Sequence, residues 1–201
     1  MIHFTDMTGL ASSAIAMVAA LFLLPGVARL QRRYLAMLVC AVAGAALIPF
    51  GGLPPAAYVR GVVGDLSITS LVLLMLSIFR PLFDWHQHGT QSRFALQILI
   101  ALAALGLYPM ALGVGLFDPY RWGYGNLWFV SMLLAVALAA CFRQFHVMGL
   151  CIALAVFAWG VGWYESNNLW DYMLDPPLAI YATSAVMRRS VQKAKIRIAS
   201  R

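Results

Sequence analysis

The feature that most constrains this chain is its division into long apolar runs separated by short polar breaks. About 20 consecutive apolar residues cross a hydrocarbon core of about 30 Å, and most of the runs approach that length. Hydrophobic residues make up 63% of the chain and charged residues only 10%, whereas about 25% of the residues in soluble domains are charged. The pattern predicts an all-α protein, a polytopic transmembrane helical bundle.

We assign about seven transmembrane spans to these runs. The predicted spans are Gly9–Ala28, Tyr34–Leu53, Gly61–Phe79, Phe94–Phe117, Leu127–Phe142, Met148–Tyr164 and Pro176–Met187. The last span is short, because a helix of that length rises only about 18 Å. Residues 1–187 would then form a single transmembrane helical domain, and residues 188–201 a basic cytoplasmic tail.

The distribution of charge predicts the orientation of the bundle. Every Lys and Arg except Arg60 and Arg121 falls in one alternating set of breaks or in the C-terminal tail. The positive-inside rule places that set in the cytoplasm. All the acidic residues except Asp84 fall on the opposite side. The chain is therefore predicted to be a multi-pass protein of a bacterial-type inner membrane, with its N-terminus outside and its C-terminus inside.

Several outer acidic residues are predicted to lie below the membrane surface. Counting 1.5 Å per residue from Arg80 and Arg188 places Asp65 and Asp175 about 20–22 Å up their spans, within a core about 30 Å thick. Ionisable groups at that depth are candidates for function. The predicted catalytic residues, lining an outward-facing pocket, are Asp65, Glu165, Asp171 and Asp175.

The segment that carries three of these acids has its own predicted structure. Asp175 precedes Pro176 and Pro177, which is a typical helix start with Asp as the N-cap. The residues from Glu165 to Leu174 are predicted to be irregular or to form a brief helix. The ordinary alternative is that the acids only cap helices and pair with arginine residues.

The loop from Asp118 to Asn126 is predicted to lie over the pocket as a lid. The predicted ligand-binding residues of the loop and pocket are Arg60, Asp118, Tyr120, Arg121, Trp122, Asn168 and Trp170. Aromatic rings beside carboxylates suit a sugar ring or a cationic headgroup. The ordinary alternative is an aromatic belt that anchors the protein at the headgroup level.

Several kinds of chemistry have no motif in the sequence. The motifs HExxH, GxSxG, Walker A and GxGxxG do not occur. His86 and His88 form a histidine pair without the further ligands that a metal site needs, so we predict neither a metal nor a cofactor. The basic tail is explained by topology, so no nucleic-acid partner is expected.

The predicted function is the binding of a lipid headgroup or a lipid-linked sugar at the outer leaflet. In a catalytic version, one carboxyl group would act as a general acid and a neighbouring carboxylate as a base; whether the chain is an enzyme stays open. One alternative is a non-enzymatic membrane subunit that anchors or completes a larger complex with a membrane-protein partner. Another alternative is a cation- or proton-coupled carrier.

Overall fold

The computed structural model describes residues 4–83 and 90–199, and this part of the chain is helical with no strands. Asp84, His86 and His88, on which two of the predictions above depend, lie outside it. The α-helices are α1 (Phe4–Leu21), α2 (Arg32–Leu47), α3 (Pro55–Val63), α4 (Ile68–Phe83), α5 (Thr90–Ala111), α6 (Leu127–Phe142), α7 (His146–Gly160), α8 (Leu169–Met173) and α9 (Pro176–Ala199). Short 3-10 helices occupy Val27–Arg29 and Pro119–Gly123. The all-α prediction is confirmed.

The seven longest helices follow the order of the predicted spans, but the third span is not continuous. Its first residues belong to α3, which ends before Gly64, and α4 begins only at Ile68. Gly64 has a φ of 78°, a conformation that glycine adopts without steric cost and that commonly ends helices. The predicted span Gly61–Phe79 is therefore divided between two helices.

Four further predicted spans run past the ends of their helices. α1 ends at Leu21 and α7 at Gly160, before the predicted ends at Ala28 and Tyr164, and two other spans end too late in the same way. α2 ends at Leu47 and α5 at Ala111, and residues 48–53 and 112–117 form turns. Two glycines in each turn have positive φ angles: Gly51, Gly52, Gly113 and Gly115. The predicted ends at Leu53 and Phe117 are too late, because hydropathy does not distinguish an apolar turn from an apolar helix.

The last helix begins where the sequence predicts and continues further. α9 starts at Pro176, after the five-residue helix α8, which confirms the predicted start and the brief helix before it. It runs through Met187 to Ala199, because the basic segment consists largely of good helix formers. Near its C-terminal end, the Arg189 guanidinium and the Lys193 ammonium lie 4.7 and 5.6 Å from the centre of the Phe94 ring on α5.

Within residues 4–83 and 90–199, one helix, Gln91–Ala111, is long and apolar enough to cross a membrane by length and composition. Four shorter apolar helices have 10–17 residues. They are Thr5–Leu21, Ile68–Phe83, Leu127–Phe142 and His146–Gly160. Helix length alone therefore does not establish a seven-span bundle.

The helices pack closely through small residues. α5 and α9 meet at Ala101, Ala104, Ala179 and Ala182, all of them buried. α6 and α7 form a hairpin in which a methyl group built on Gly149 would lie 2.8 Å from the Cys141 Sγ atom and 3.4 Å from the Ala137 carbonyl oxygen. Small side chains allow helix backbones to approach each other in this way.

In the N-terminal half of α1, polar side chains are buried and a large apolar side chain is exposed. Thr8, Ser12 and Ser13 are buried, whereas Met7 is 62% exposed. The Ser12 hydroxyl donates to the Gly9 carbonyl oxygen, so its polar group is satisfied within the helix. This distribution is the reverse of that in a soluble helix, whose apolar stripe faces the core.

Replacement of Gly149 by leucine should destabilise the α6–α7 hairpin. The larger side chain would push into Cys141 and the α6 backbone, and overpacking of this kind costs about 2 kcal/mol. Unfolding of the detergent-purified protein in increasing SDS would measure the loss. The matched control is Gly106→Leu on α5, where a built methyl group meets nothing within 4 Å. Equal stability of the two variants would contradict the close packing described here.

Candidate functional site

The polar groups predicted for the outer side meet at one end of the helical bundle. This end contains the start of α1, the α3–α4 connection, the 3-10 helix Pro119–Gly123 and the residues between α7 and α9. The Thr8 hydroxyl donates to the Trp163 carbonyl oxygen, and the Tyr164 hydroxyl donates to the Leu66 carbonyl oxygen. These bonds fasten the α7–α9 connection to α1 and to the start of α4.

The buried acid at this end is Asp175, which is 3% exposed. Its Oδ1 atom accepts from the Leu178 N–H at 2.7 Å, which caps α9. Its Oδ2 atom accepts from the Ser67 N–H at 2.8 Å and from the Ser70 hydroxyl, both at the start of α4. One carboxylate therefore serves two helix N-termini, where backbone N–H groups and the helix dipole favour negative charge.

A second acid, Asp65, belongs to an ion-pair group on α1 and α3. The Arg60 guanidinium donates from Nε to Asp65 Oδ1 at 2.6 Å and from Nη2 to Asp65 Oδ2 at 3.1 Å. Its Nη1 atom donates to Asp6 Oδ1 at 3.2 Å. The bond to Asp65 is the main cause that raises the pKa of Arg60. Gly9 of α1 lies against this pair, where a methyl group would overlap it.

The third acid, Asp171, joins α8 to the loop before α6. Its carboxylate accepts from the Tyr120 hydroxyl at 2.9 Å and from the Ser166 hydroxyl. Burial, followed by the bond to Asp171, raises the pKa of Tyr120 above its ordinary value of 10.0. Tyr120 therefore keeps its proton at neutral pH and acts as a donor to Asp171.

The predicted lid is held in place by further hydrogen bonds. The Asn168 Nδ2 atom donates to the Tyr120 carbonyl oxygen at 2.9 Å, and the Trp170 indole N–H donates to the Pro119 carbonyl oxygen at 3.1 Å. Asn168 is fully buried, and a methyl group on Gly123 would overlap its side chain. The 3-10 helix is therefore packed directly on α8 and closes this end of the bundle.

The four predicted catalytic acids each have protein partners of their own. Glu165 is exposed and accepts from the Thr5 hydroxyl at 3.3 Å. Asp65, Asp171 and Asp175 are engaged as described above. The predicted shared pocket and the acid–base pair remain predictions. The capping and pairing that were their ordinary alternative account for the contacts of Asp65 and Asp175.

Two open hollows flank the 3-10 helix. The first, of about 340 Å³, is lined by Leu116, Phe117, Asp118, Arg121, Trp122 and Asn126. Asp118 accepts from the Tyr120 N–H with one carboxylate oxygen, as the N-cap of the 3-10 helix. The Arg121 side chain is exposed and has no hydrogen-bond or ion-pair partner within residues 4–83 and 90–199. This hollow contains three of the predicted ligand-binding residues.

The second hollow, of about 410 Å³, is lined by Tyr124, Trp159, Gly160 and Asn167. None of these residues was predicted as a ligand-binding residue. Tyr124 belongs to the loop predicted as a lid, and nothing in the sequence relates the last turn of α7 to a loop 35 residues earlier. Packing brings them together, and the Trp159 indole N–H donates to the Asn167 carbonyl oxygen at 2.8 Å.

The described residues contain no group of three or more His, Cys, Asp or Glu side chains that could hold a metal ion. No protein-family model, curated protein or solved structure matches this chain. The functional assignment therefore depends on the geometry of these residues.

Replacement of Asp175 by asparagine should strongly destabilise the protein. An amide cannot accept from Leu178, Ser67 and Ser70 together, and a hydrogen bond to a buried charged group is worth about 2 kcal/mol. SDS unfolding would measure the loss. Asp118→Asn is the matched control, because Asp118 is an exposed N-cap where asparagine serves nearly as well. A small effect at position 175 would show that this carboxylate does not hold α4 and α9 together.

Proposed function

We propose that the chain is a multi-pass inner-membrane protein of about seven spans, with its N-terminus outside and its C-terminus inside. The seven helices of 15 or more residues in the described part would be the spans. Two observations support the proposal. Large apolar side chains such as Leu102, Leu127 and Phe157 are more than 60% exposed, whereas Ser13, Ser67 and Asn168 are buried. That distribution suits a solvent of lipid.

The orientation is supported by the separation of charge along the bundle. Asp6, Asp65, Asp171 and Asp175 lie at the end described above. Arg189 and Lys193 lie at the opposite end, beside the start of α5. The positive-inside rule makes the basic end cytoplasmic.

We further propose that the chain binds a phosphate-bearing lipid headgroup at the hollow of Asp118, Arg121 and Trp122. The observation that carries this proposal is that the Arg121 guanidinium has no partner among residues 4–83 and 90–199. Arg60 at the same end already pairs with two carboxylates. A guanidinium is well suited to phosphate, to which it can donate two parallel hydrogen bonds.

The surroundings of Arg121 suit a headgroup at the membrane surface. The Trp122 ring packs edge-on against Phe117, with 5.2 Å between ring centres, and both are partly exposed. Tryptophan is enriched where hydrocarbon meets water. The neighbouring Leu116 is fully exposed and would lie against the lipid chains. The free oxygen of Asp118 would accept from an amine or hydroxyl group of the headgroup.

Binding is a better proposal than catalysis because of how the acids are used. An acid–base pair needs carboxyl groups that can exchange protons with a substrate. Both oxygens of Asp175 already accept from the protein, and Asp65 is held by a two-pronged pair with Arg60. These acids would shape the outer end of the bundle, and the headgroup would be held beside them.

A second candidate is the non-enzymatic membrane subunit, which the two apolar turns favour. Phe50 in one turn and Leu112 in the other are 71% and 83% exposed. Lipid cannot satisfy the backbone groups of an irregular turn, and large exposed apolar patches commonly mark protein contacts. A membrane-protein partner that covers these turns would satisfy their backbone groups and bury their apolar side chains.

The orientation can be tested by labelling introduced cysteines in a cysteine-free background. Asn167→Cys should react with a membrane-impermeant maleimide in intact cells, because the exposed Asn167 lies at the outer end. Gln192→Cys, on the exposed basic part of α9, should react only after the cells are opened. Reversed labelling would overturn the orientation and with it the outer-leaflet site.

The headgroup site can be tested by titrating the detergent-purified protein with phosphatidylglycerol and counting bound lipids by native mass spectrometry. Arg121→Gln should weaken binding by roughly tenfold, since a charged hydrogen-bonded contact is worth about 1.5–3 kcal/mol. Arg143→Gln is the matched control, an exposed arginine that follows α6 at the opposite end of that helix. Equal losses in the two variants would show that binding follows total charge and would contradict the proposed site.

A further inference from the structure

The hollow of Tyr124, Trp159 and Asn167 is not used by the proposed phosphate site. Its residues come from three segments: the loop before α6, the last turn of α7 and the connection after α7. It is an open depression of about 410 Å³ at the surface. Trp159 is held in place by its bond to the Asn167 carbonyl oxygen.

The chemistry of this hollow matches a ring that carries several hydroxyl groups. The face of an aromatic ring is electron-rich, so the polarised C–H groups on one face of a sugar or cyclitol ring pack against it favourably. The Asn167 side-chain amide is exposed and has no partner within the described residues. An amide offers both a donor and an acceptor, which is what adjacent ring hydroxyls require.

The two hollows share one short segment of chain among their lining residues. Arg121 and Trp122 line the first, Tyr124 lines the second, and Gly123 between them is buried against Asn168. Three residues of chain span at most about 11 Å, so the backbones of Arg121 and Tyr124 are that close or closer. One headgroup with a phosphate and an adjoining ring could therefore contact both residues.

We propose that the ligand is a phospholipid whose phosphate bears a sugar or cyclitol ring, with the phosphate at Arg121 and the ring between Tyr124, Trp159 and Asn167. This inference rests on the proposed headgroup site and names its substrate class. A zwitterionic or simple anionic headgroup would leave the aromatic hollow empty. A ring-bearing headgroup would fill both hollows at once.

The test compares phosphatidylinositol with phosphatidylglycerol of the same acyl chains, by native mass spectrometry of the detergent-purified full chain. Each lipid carries one phosphodiester, and only the first carries a polyhydroxylated ring. The wild-type protein should bind phosphatidylinositol roughly fivefold more tightly, the expected value of one good aromatic contact. Equal binding of the two lipids would overturn this inference.

Variants separate this inference from the proposed function. Asn167→Ala and Tyr124→Leu should bring the ratio of the two affinities close to one, with the loss falling on phosphatidylinositol. Trp128→Leu, an exposed aromatic residue outside both hollows, should keep the ratio of the wild type. Two results would overturn the inference by showing that the ring binds elsewhere. One is that Asn167→Ala and Tyr124→Leu keep the wild-type preference for phosphatidylinositol over phosphatidylglycerol. The other is that Trp128→Leu loses this preference to the same extent.

The Arg121→Gln variant shows which proposal fails. If Arg121→Gln weakens the binding of both lipids, and the wild-type protein binds the two lipids equally, only the ring site is wrong. If it weakens neither lipid, the phosphate site is wrong, and the ring site that depends on it is wrong as well. If Arg121→Gln weakens the binding of both lipids by the same factor, and phosphatidylinositol still binds about fivefold more tightly than phosphatidylglycerol, both proposals are supported.

Discussion

The end of the bundle that carries the acids depends on the Asp175 carboxylate and the two helix N-termini that it joins. A buried carboxylate without a counter-charge is costly in lipid. Here the Ser67 and Leu178 N–H groups and the Ser70 hydroxyl replace its hydration. Two helix dipoles point their positive ends at the same group. The starts of α4 and α9 are thereby fixed relative to each other, and the segment before α9 is fixed with them.

The remaining contacts at this end follow from that arrangement. With the start of α9 held, α8 lies where Asn168, Trp170 and Asp171 can bind the 3-10 helix through Tyr120 and Pro119. The loop that the sequence predicts as a lid is therefore packed against α8 as part of the fold. Its outward side chains, Arg121, Trp122 and Tyr124, are displayed on a rigid support, which lowers the entropy cost of binding a ligand.

The sequence predicted the helical class and the start of α9, because each depends on local signals. Asp175 followed by two prolines is such a signal, and so is a run of apolar residues. The break at Gly64 and the turns at residues 112–117 were missed, because an apolar turn and an apolar helix have the same hydropathy. The hollow at Trp159 and Asn167 depends on the packing of α7 against α6, which no local pattern records.

The depth of an acid in a membrane does not by itself indicate its function. Depth makes an unpaired carboxylate costly, but it also makes a fully hydrogen-bonded one a strong structural link. Asp175 and Asp65 are of the second kind, since protein donors occupy their oxygens. Among the outer charges of the described chain, the informative one is then Arg121, whose charge has no internal partner. In the proposed orientation this group would lie at the membrane surface, where it would bind an anion that the membrane supplies.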